Sequence, residues 1–294
     1  MESNHVNFNF EYDLYDSPAP VWMNKVLQPS MECLYFYCDE ELPLATNIKY
    51  ESDYLEQVGG QTCPHNPETN SWWGSKSELS AKTNCKLENH LTNKHLKLWT
   101  PEGGIVKSFE ELEALMGEGR WRLKDPWLMG GTGQWRLSRE MLYDDALRRG
   151  ITKRLNKGNL LLERSLEIKN VIGTTFDLTD STSNLLFCVE NFLNSQGNFI
   201  GGKVTDLPEV LKSQVYKVSE YWRDLGARGV LEIDSFILDD GYYPCVEVNH
   251  RKTMGWFIWN LSQKLGSGEM RLNHQDGIKL NPKNSALEVS WVKI

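Results

Sequence analysis

At 294 residues the chain is too long for one small hydrophobic core, so one large domain or two to three smaller ones are expected. The net charge of −8 argues against a general nucleic-acid binder, although it permits a local basic pocket. The N-terminal residues are acidic and polar, without a secretory signal, and the longest apolar runs are too short to span a bilayer. Six scattered cysteines indicate reduced thiols, so we expect a cytoplasmic protein with neither membrane nor nucleic-acid partners.

The first hundred residues give few clear elements. The residues 21–27 favour a short strand or helix, and the aromatic-rich residues 32–38 predict a strand. Several glycines and prolines in residues 59–77 predict a loop. Leucines recur among charged residues from 79 to 98 and predict a helix.

The signals become clearer after residue 104. Residues 105–107 favour a short strand, and Ser108 with Glu111 has the pattern of a capping box, which predicts that a helix follows. Alternation in residues 120–124 predicts another strand, and this strand leads into a glycine-rich turn at residues 125–134.

The second half of the chain contains both strand and helix signals. Pro208 suits the first turn of a helix, and apolar residues repeat behind it at helical spacing. The predicted strands are residues 160–162, 167–176, 185–192 and 286–292, with a two-stranded hairpin in 229–255, and the predicted helices are 138–150, 208–225 and 252–265.

The glycine-rich turn is a candidate phosphate site. Lys124 ends the preceding strand, and Gly130, Gly131 and Gly133 follow it. Glycines allow backbone amides to approach a phosphate closely, and a lysine at the strand end offers it a positive charge. The turn is not a Walker loop, because no Gly-Lys-Ser/Thr sequence follows, and an ordinary turn is the alternative interpretation.

A second candidate lies in the sequence LLLERSL at residues 160–166. A purine held between domains needs an apolar slot and backbone hydrogen bonds to its edge, which the segment from Leu162 to Leu166 could supply. The carboxylate of Glu163 could accept a hydrogen bond from an exocyclic amine. The alternative is a strand end with a solvated ion pair.

The hairpin carries a third candidate site. Strand alternation places Glu247, Asn249 and Arg251 on one face, and Asp234 lies on the first strand, thirteen residues before Glu247. Two carboxylates and an amide oxygen form a hard oxygen cluster that suits Mg²⁺. Alternation turns His250 to the other face, and the alternative for the whole cluster is a solvated sheet face.

These three pieces, in this order and at this spacing, resemble the ATP-grasp superfamily over residues 104–255. RWRLKDPWLMGGTG is similar to its lysine strand and glycine loop, with one residue inserted before Pro126. LLLERSLE resembles its adenine hinge, and RGVLEIDSFILDDGYYPCVEVN is similar to the metal hairpin of D-alanine–D-alanine ligase-like members. The chain departs from that subgroup at Glu232, where the subgroup has an arginine.

The resemblance implies an α+β and α/β architecture with an ATP-grasp fold, in which two α+β subdomains clasp ATP. An N-terminal α/β domain would occupy residues 1–103. The small subdomain with the glycine loop would occupy residues 104–168, and the large C-terminal subdomain with the metal site residues 169–294.

The resemblance also implies a role for each candidate side chain. Two Mg²⁺ ions would be bound by Asp234, Glu247 and Asn249. The nucleotide would be bound by Lys124, Gly130, Gly131 and Gly133 at its phosphates, by Glu163 and Leu166 at its adenine, and by Glu167 at its ribose. A second phosphate lysine is expected near the end of the N-terminal domain, where Lys82, Lys86 and Lys94 are all candidates.

The activity implied by the resemblance is an ATP- and Mg²⁺-dependent ligase that joins a carboxylate to an amine through an acyl phosphate, with Arg251 stabilising the phosphoryl group. The acid and the amine would be small molecules or peptides. A kinase that phosphorylates a hydroxyl and a non-catalytic nucleotide-binding module are the alternatives. A zinc site is disfavoured because its candidate ligands lack paired spacing; these are Cys63, His65, Cys85, His90 and His95.

Overall fold

The fold is taken from a computed structural model, which describes residues 1–127 and 133–294. The predicted phosphate-loop residues Gly130 and Gly131 lie outside the described residues. Gly133, which follows them, adopts a positive φ of 64°. This conformation favours glycine over other residues, as a tight turn before the next strand requires.

Helical segments occur throughout the described residues. The α-helices are α1 (Phe10–Leu14), α2 (Gln28–Met31), α3 (Ser52–Val58), α4 (Glu78–Thr83), α5 (Lys86–His95), α6 (Phe109–Leu115), α7 (Asp145–Leu155), α8 (Glu209–Asp224) and α9 (Met254–Leu265). A π-helix spans Met23–Leu27, and 3₁₀-helices span Glu32–Tyr37 and Arg139–Tyr143. Within the described residues, no helix is long and apolar enough to cross a membrane.

The strands of the described residues divide among an N-terminal, a central and a C-terminal group. The N-terminal strands are β1 (Ser3–His5), β2 (Leu44–Ala45), β3 (Thr62–Cys63) and β4 (Thr69–Ser71). The central strands are β5 (Gly103–Val106), β6 (Trp121–Lys124), β7 (Gln134–Leu137) and β8 (Leu160–Arg164). The C-terminal strands are β9 (Ile168–Leu178), β10 (Ser183–Leu193), β11 (Phe199–Thr205), β12 (Gly229–Leu238), β13 (Gly241–Asn249), β14 (Gly268–Leu272), β15 (Ile278–Lys279) and β16 (Val289–Lys293).

Each group of described strands forms its own sheet. The N-terminal sheet is parallel, with the order β3-β2-β1-β4. The central sheet is antiparallel, with the order β5-β8-β6-β7, and the eight-stranded C-terminal sheet has the order β13-β12-β9-β10-β11-β14-β16-β15. This mixed architecture agrees with the fold class expected from the sequence. The boundaries at residues 103/104 and 168/169 stay a prediction.

The N-terminal segment shares a hydrophobic core with the C-terminal sheet. Phe8 and Trp73 contact each other with ring centroids 4.7 Å apart, and Trp73 lies 5.4 Å from Phe257 of α9. All three side chains are buried in one cluster. Burying a side chain of this size contributes about 1.5–3 kcal/mol or more to folding, so this core fixes the N-terminal segment against α9 and the strands beneath it.

Helix α8 forms for the reasons that the sequence indicates. Pro208 precedes its first turn, and its apolar stripe, which includes Val215 and Trp222, is buried against the C-terminal sheet. The chain leaves the helix at Gly226, whose φ of 101° is the left-handed conformation that commonly ends a helix. The helix supports β12 and β13 from the face opposite the candidate metal residues.

Three predicted elements are wrong in detail. Residues 32–38 form the 3₁₀-helix Glu32–Tyr37, and its buried residues on successive positions give no alternating face for a strand. The long helix predicted at 79–98 is two helices, α4 and α5, which are separated at Asn84 and Cys85. Gly150 does not end a helix, because α7 continues through it to Leu155.

Candidate active site

The hairpin of β12 and β13 brings its polar side chains together. Asp234 lies opposite Glu247, and Glu232 lies opposite Asn249, in the antiparallel register. The amide Nδ2 of Asn249 donates a hydrogen bond to Oδ2 of Asp234 at 3.0 Å. The structure therefore assembles the side chains that the sequence singles out as magnesium ligands.

Negative charge is concentrated around Asp234. Its side chain is partly accessible to solvent yet closely surrounded by protein atoms. Burial, followed by the nearby carboxylates of Glu232 and Glu247, raises the pKa of Asp234 well above its usual range. A cation bound at this point would compensate that repulsion.

The donor set fits Mg²⁺ shared with a nucleotide. In residues 1–127 and 133–294, no group of three or more His, Cys, Asp or Glu side chains is placed to hold a metal by itself. Mg²⁺ commonly takes one or two protein carboxylates and completes its shell with water and substrate phosphates. Asp234, Glu247 and the oxygen of Asn249 match that pattern.

Lys86 is the candidate phosphate lysine that lies beside the metal residues. It begins α5, its side chain is 3% exposed, and its Nζ lies 3.0 Å from Oε1 of Glu247. Burial lowers the pKa of Lys86, but neighbouring carboxylates, Glu247 first, raise it by more, so the ammonium stays charged. Lys82 forms an exposed ion pair within α4, and Lys94 is exposed.

Arg251 is held by the N-terminal segment. Its Nε donates to Oε1 of Glu11 in α1 at 2.8 Å, and its Nη2 contacts the same oxygen. Nη2 also donates to Oδ1 of Asn249 at 2.9 Å. Burial lowers the pKa of Arg251, but the neighbouring carboxylates, Glu11 first, together raise it by more. Burial raises the pKa of Glu11 against the opposing effect of Arg251. The guanidinium is thus engaged by a carboxylate that the sequence did not indicate.

Lys124 and Glu163 form a buried ion pair between β6 and β8. The Nζ of Lys124 contacts Oε2 of Glu163, and the hydroxyl of Tyr243 donates to Oε1 of the same carboxylate at 2.9 Å. Glu163 is 2% exposed. Both of its oxygens are therefore engaged within the protein, and this arrangement differs from the contact with an exocyclic amine that the resemblance implies.

Glu232 anchors the start of α9. Its Oε2 accepts hydrogen bonds from the hydroxyls of Thr175 at 3.0 Å and Thr253 at 2.5 Å. A Cβ on Gly255 would lie 2.7 Å from the same oxygen, so only glycine allows this close approach. The carboxylate of Glu232 is therefore bound within the fold, whereas Asp234 lies opposite Glu247, as expected from the sequence.

The segment between β8 and β9 lines a cleft of about 850 Å³. Leu166 and Glu167 contribute to its wall, together with Arg122 of β6 and Arg136 of β7. The turn between β10 and β11 also lines this cleft. The predicted adenine and ribose residues of the hinge thus border an open cavity, unlike Glu163.

No protein-family model and no curated protein matches the sequence. Solved structures do match in shape. N5-carboxyaminoimidazole synthetase from Staphylococcus aureus gives a TM-score of 0.56 at 11% identity, over 89% of this chain and 90% of that one. Phosphoribosylamine–glycine ligase from Thermotoga maritima gives 0.55 at 13% identity, over 88% of this chain and 87% of that one.

A third match is the biotin carboxylase domain of Hydrogenobacter thermophilus 2-oxoglutarate carboxylase, solved with MgADP, ADP and bicarbonate. Its TM-score is 0.54 at 14% identity, over 82% of this chain and 72% of that one. The chain has the ATP-grasp fold. The match extends well beyond residues 104–255, on which the resemblance in sequence rests.

Within the ATP-grasp fold, the sequence analysis missed contacts that depend on distant parts of the chain. Glu11 reaches Arg251 across 240 residues, and Tyr243 reaches Glu163 across 80. Glu11 stands in no motif, and Tyr243 lies within the hairpin but is not one of its candidate ligands, so no local signal pairs either residue with its partner. His250 lies away from the metal residues, with Nε2 2.8 Å from the carbonyl oxygen of Arg228, in agreement with its interpretation as a packed histidine.

Proposed function

We propose that the protein is an ATP- and Mg²⁺-dependent ligase that joins a carboxylate to an amine through an acyl phosphate. The observation that carries this proposal is the opposed pair Asp234 and Glu247, with Asn249 beside it and the ammonium of Lys86 at 3.0 Å from Glu247. A cation site and a buried lysine on one polar face suit the transfer of a phosphoryl group.

The nucleotide would lie in the cleft at the hinge. Leu166, which lines this cleft, would offer an apolar wall to the base, and Glu167 would contact the ribose. Lys124 would reach the phosphates, with Glu163 and Tyr243 fixing the position of its ammonium. Gly133 would also contact the phosphates. Gly130 and Gly131 are proposed for the same role from the sequence alone.

Asp234, Glu247 and Asn249 would hold the magnesium. When bound, the metal neutralises charge on the phosphates. The amide of Asn249 is oriented from both ends, because its nitrogen donates to Asp234 and its oxygen accepts from Arg251. An amide oxygen has two lone pairs, so this contact leaves one for a metal.

Arg251 combines two roles in this proposal. Its guanidinium would stabilise an acyl phosphate near the metal, as the resemblance implies, and its bond to Glu11 fixes the N-terminal segment beside that position. Such chemistry depends on positioning and charge compensation and needs no protein nucleophile. The N-terminal segment, proposed as the domain of residues 1–103, would then help to bind a small-molecule or peptide substrate.

The test is Mg²⁺-dependent binding of a non-hydrolysable ATP analogue, followed by ATP turnover with candidate acids and amines. Asp234→Asn and Glu247→Gln should each abolish turnover and weaken the Mg²⁺-dependent binding while the protein stays folded. Asp240→Asn is the matched control, because Asp240 is exposed at the turn of the same hairpin. Full turnover in both hairpin variants would refute the metal assignment.

Product analysis tests the ligase reaction itself. A ligase releases phosphate only when an amine co-substrate is present, whereas a kinase leaves the phosphate on its acceptor. A phosphorylated hydroxyl product would therefore replace the ligase proposal by a kinase on the same site.

A further inference from the structure

The hinge cleft carries more positive charge than the rest of the protein suggests. Arg120, Arg122, Arg136 and Arg271 line it, although the whole chain has a net charge of −8. Arginine is the side chain best suited to bind phosphates and carboxylates through a planar fork of donors. The arginines of this cleft are therefore candidates to bind an anionic ligand.

Arg122 and Arg136 are directly paired across β6 and β7, so their side chains leave the same face of the central sheet. Among the described residues, neither forms an ion pair with a carboxylate. Arg136 donates to the backbone carbonyls of Ser195 and Gln196. Burial, followed by the charge of Arg136, lowers the pKa of Arg122. Two like charges held opposite each other on a sheet are destabilising without a partner.

The nearby acidic side chains do not neutralise this pair. Glu163 lies opposite Arg122 on β8, but Lys124 and Tyr243 engage both of its oxygens. Glu190, which also lines the cleft, accepts a hydrogen bond from the amide of Asn170 at 2.6 Å. Its carboxylate also lies 3.4 Å from the ammonium of Lys203.

Arg271 and Glu167, which also line the cleft, leave the arginine pair uncompensated. The guanidinium of Arg271 is bound to Glu269 at 2.8 Å, and it lies 4.2 Å above the ring of Phe192. Glu167 is exposed at the hinge, where water solvates its charge. The pair of Arg122 and Arg136 therefore faces the cavity with its charge available to a ligand.

We infer that Arg122 and Arg136 form a phosphate-binding subsite in the hinge cleft. A phosphate dianion can compensate both guanidinium charges, whereas a single carboxylate can compensate one. Strand alternation places Arg122 on the same face as Lys124, two residues nearer the hinge. The subsite therefore lies on the same face of the central sheet as Lys124.

The phosphate could belong to the nucleotide or to the second substrate, and one experiment distinguishes them. The placement of the nucleotide in this cleft rests on the proposed function. The anion subsite rests on the arginine pair, and its affinity is measured without turnover. Calorimetric titration of inorganic pyrophosphate into the full-length protein gives its affinity, at a fixed salt concentration because charge contacts are screened by salt. The titration is repeated in the presence of a saturating non-hydrolysable ATP analogue and Mg²⁺.

Arg122→Gln and Arg136→Gln should each weaken pyrophosphate binding by roughly 10- to 100-fold, the usual effect of losing a hydrogen bond to a charged group. Arg149→Gln is the matched control, because it removes the same charge from an exposed position on α7 outside the cleft. Its affinity for pyrophosphate should equal that of the unmodified protein.

Two outcomes support the subsite and assign its phosphate. If the ATP analogue displaces pyrophosphate, and Arg122→Gln also weakens binding of the analogue, the nucleotide supplies the phosphate. If pyrophosphate still binds to the protein saturated with the analogue, the second substrate carries it. The subsite is refuted if pyrophosphate does not bind saturably, or if both cleft variants bind it as tightly as Arg149→Gln does. Loss of turnover alone leaves these binding results unchanged, so a failure of the ligase proposal is separately visible.

Discussion

Replacing Glu11 by alanine should strongly destabilise the protein, because it leaves the charge of Arg251 buried without its partner. The two side chains are 2% and 7% exposed, and the guanidinium donates to Glu11 through both Nε and Nη2. Removing one partner of such a buried pair typically costs about 3–5 kcal/mol. For a chain of 294 residues, that loss corresponds to a fall in melting temperature of roughly 5–8 °C.

The assay is thermal and urea unfolding of the full-length protein, with Asp180→Ala as the matched control. Asp180 pairs with Arg228 at 2.6 Å, but its side chain is 95% exposed, so the control should unfold almost as the unmodified protein does. A double variant, Glu11→Met with Arg251→Met, should recover much of the lost stability, because it removes both buried charges and keeps their volume.

Equal unfolding free energies for Glu11→Ala and Asp180→Ala would refute this reasoning. So would a double variant that is as unstable as the sum of its single changes, because the two charges would then act independently. Either result would mean that the N-terminal segment is fixed by its aromatic core alone.

Three further predictions concern the site and its supports. Lys86→Met should weaken Mg²⁺-dependent binding of an ATP analogue by roughly tenfold or more, as measured by calorimetry, because Lys86 contacts Glu247 of β13. Lys82→Met should leave this binding unchanged, because Lys82 pairs with Glu78 on the surface of α4. Burial, followed by the charge of Lys94, lowers the pKa of His90, so its contribution to stability should be fully present above pH ~6.5. That contribution should be lost as the pH falls through the folded pKa, by at most about 1.4 kcal/mol per pH unit. Urea unfolding of His90→Gln should show a flatter pH dependence than the unmodified protein, and an unchanged pH dependence would contradict this. Gly201→Ala should lower the melting temperature sharply, because a Cβ there would lie 2.1 Å from a backbone oxygen of Met270 at a φ of 144°, and an unchanged melting temperature would contradict the strand pairing.

The hairpin that brings Asp234 opposite Glu247 was predictable because its signal is local. Asp234 and Glu247 are separated by one tight turn, and the period of two along a strand decides which side chains share a face. The choice among the lysines was not predictable. Lys82 and Lys86 lie on either side of the break between α4 and α5, and only that break decides which lysine turns towards Glu247.

Long-range pairings exceeded what the sequence could show. Glu11 stands in an acidic, aromatic segment without any motif, and its partner Arg251 follows from the packing of two distant elements. The strand prediction for residues 32–38 failed for a related reason. Aromatic content indicates a strand when one face is exposed, but this segment is buried on successive residues, and tertiary packing decides its conformation.

Helix α5 buries a polar face beside the candidate site. A helix on a domain surface usually buries its apolar stripe, but α5 buries Lys86, Asn89, His90 and Asn93, which are spaced as one helical face, while Leu91 is 48% exposed. Lys86 bonds to the metal strand, and Asn93 donates to a backbone carbonyl of β13 at 2.7 Å. Burying polar groups in place of leucine costs stability unless every group is satisfied. Such a face is expected where a helix presents charge and hydrogen-bonding groups to a site, so the polar face of α5 supports the proposal that Lys86 serves the candidate site.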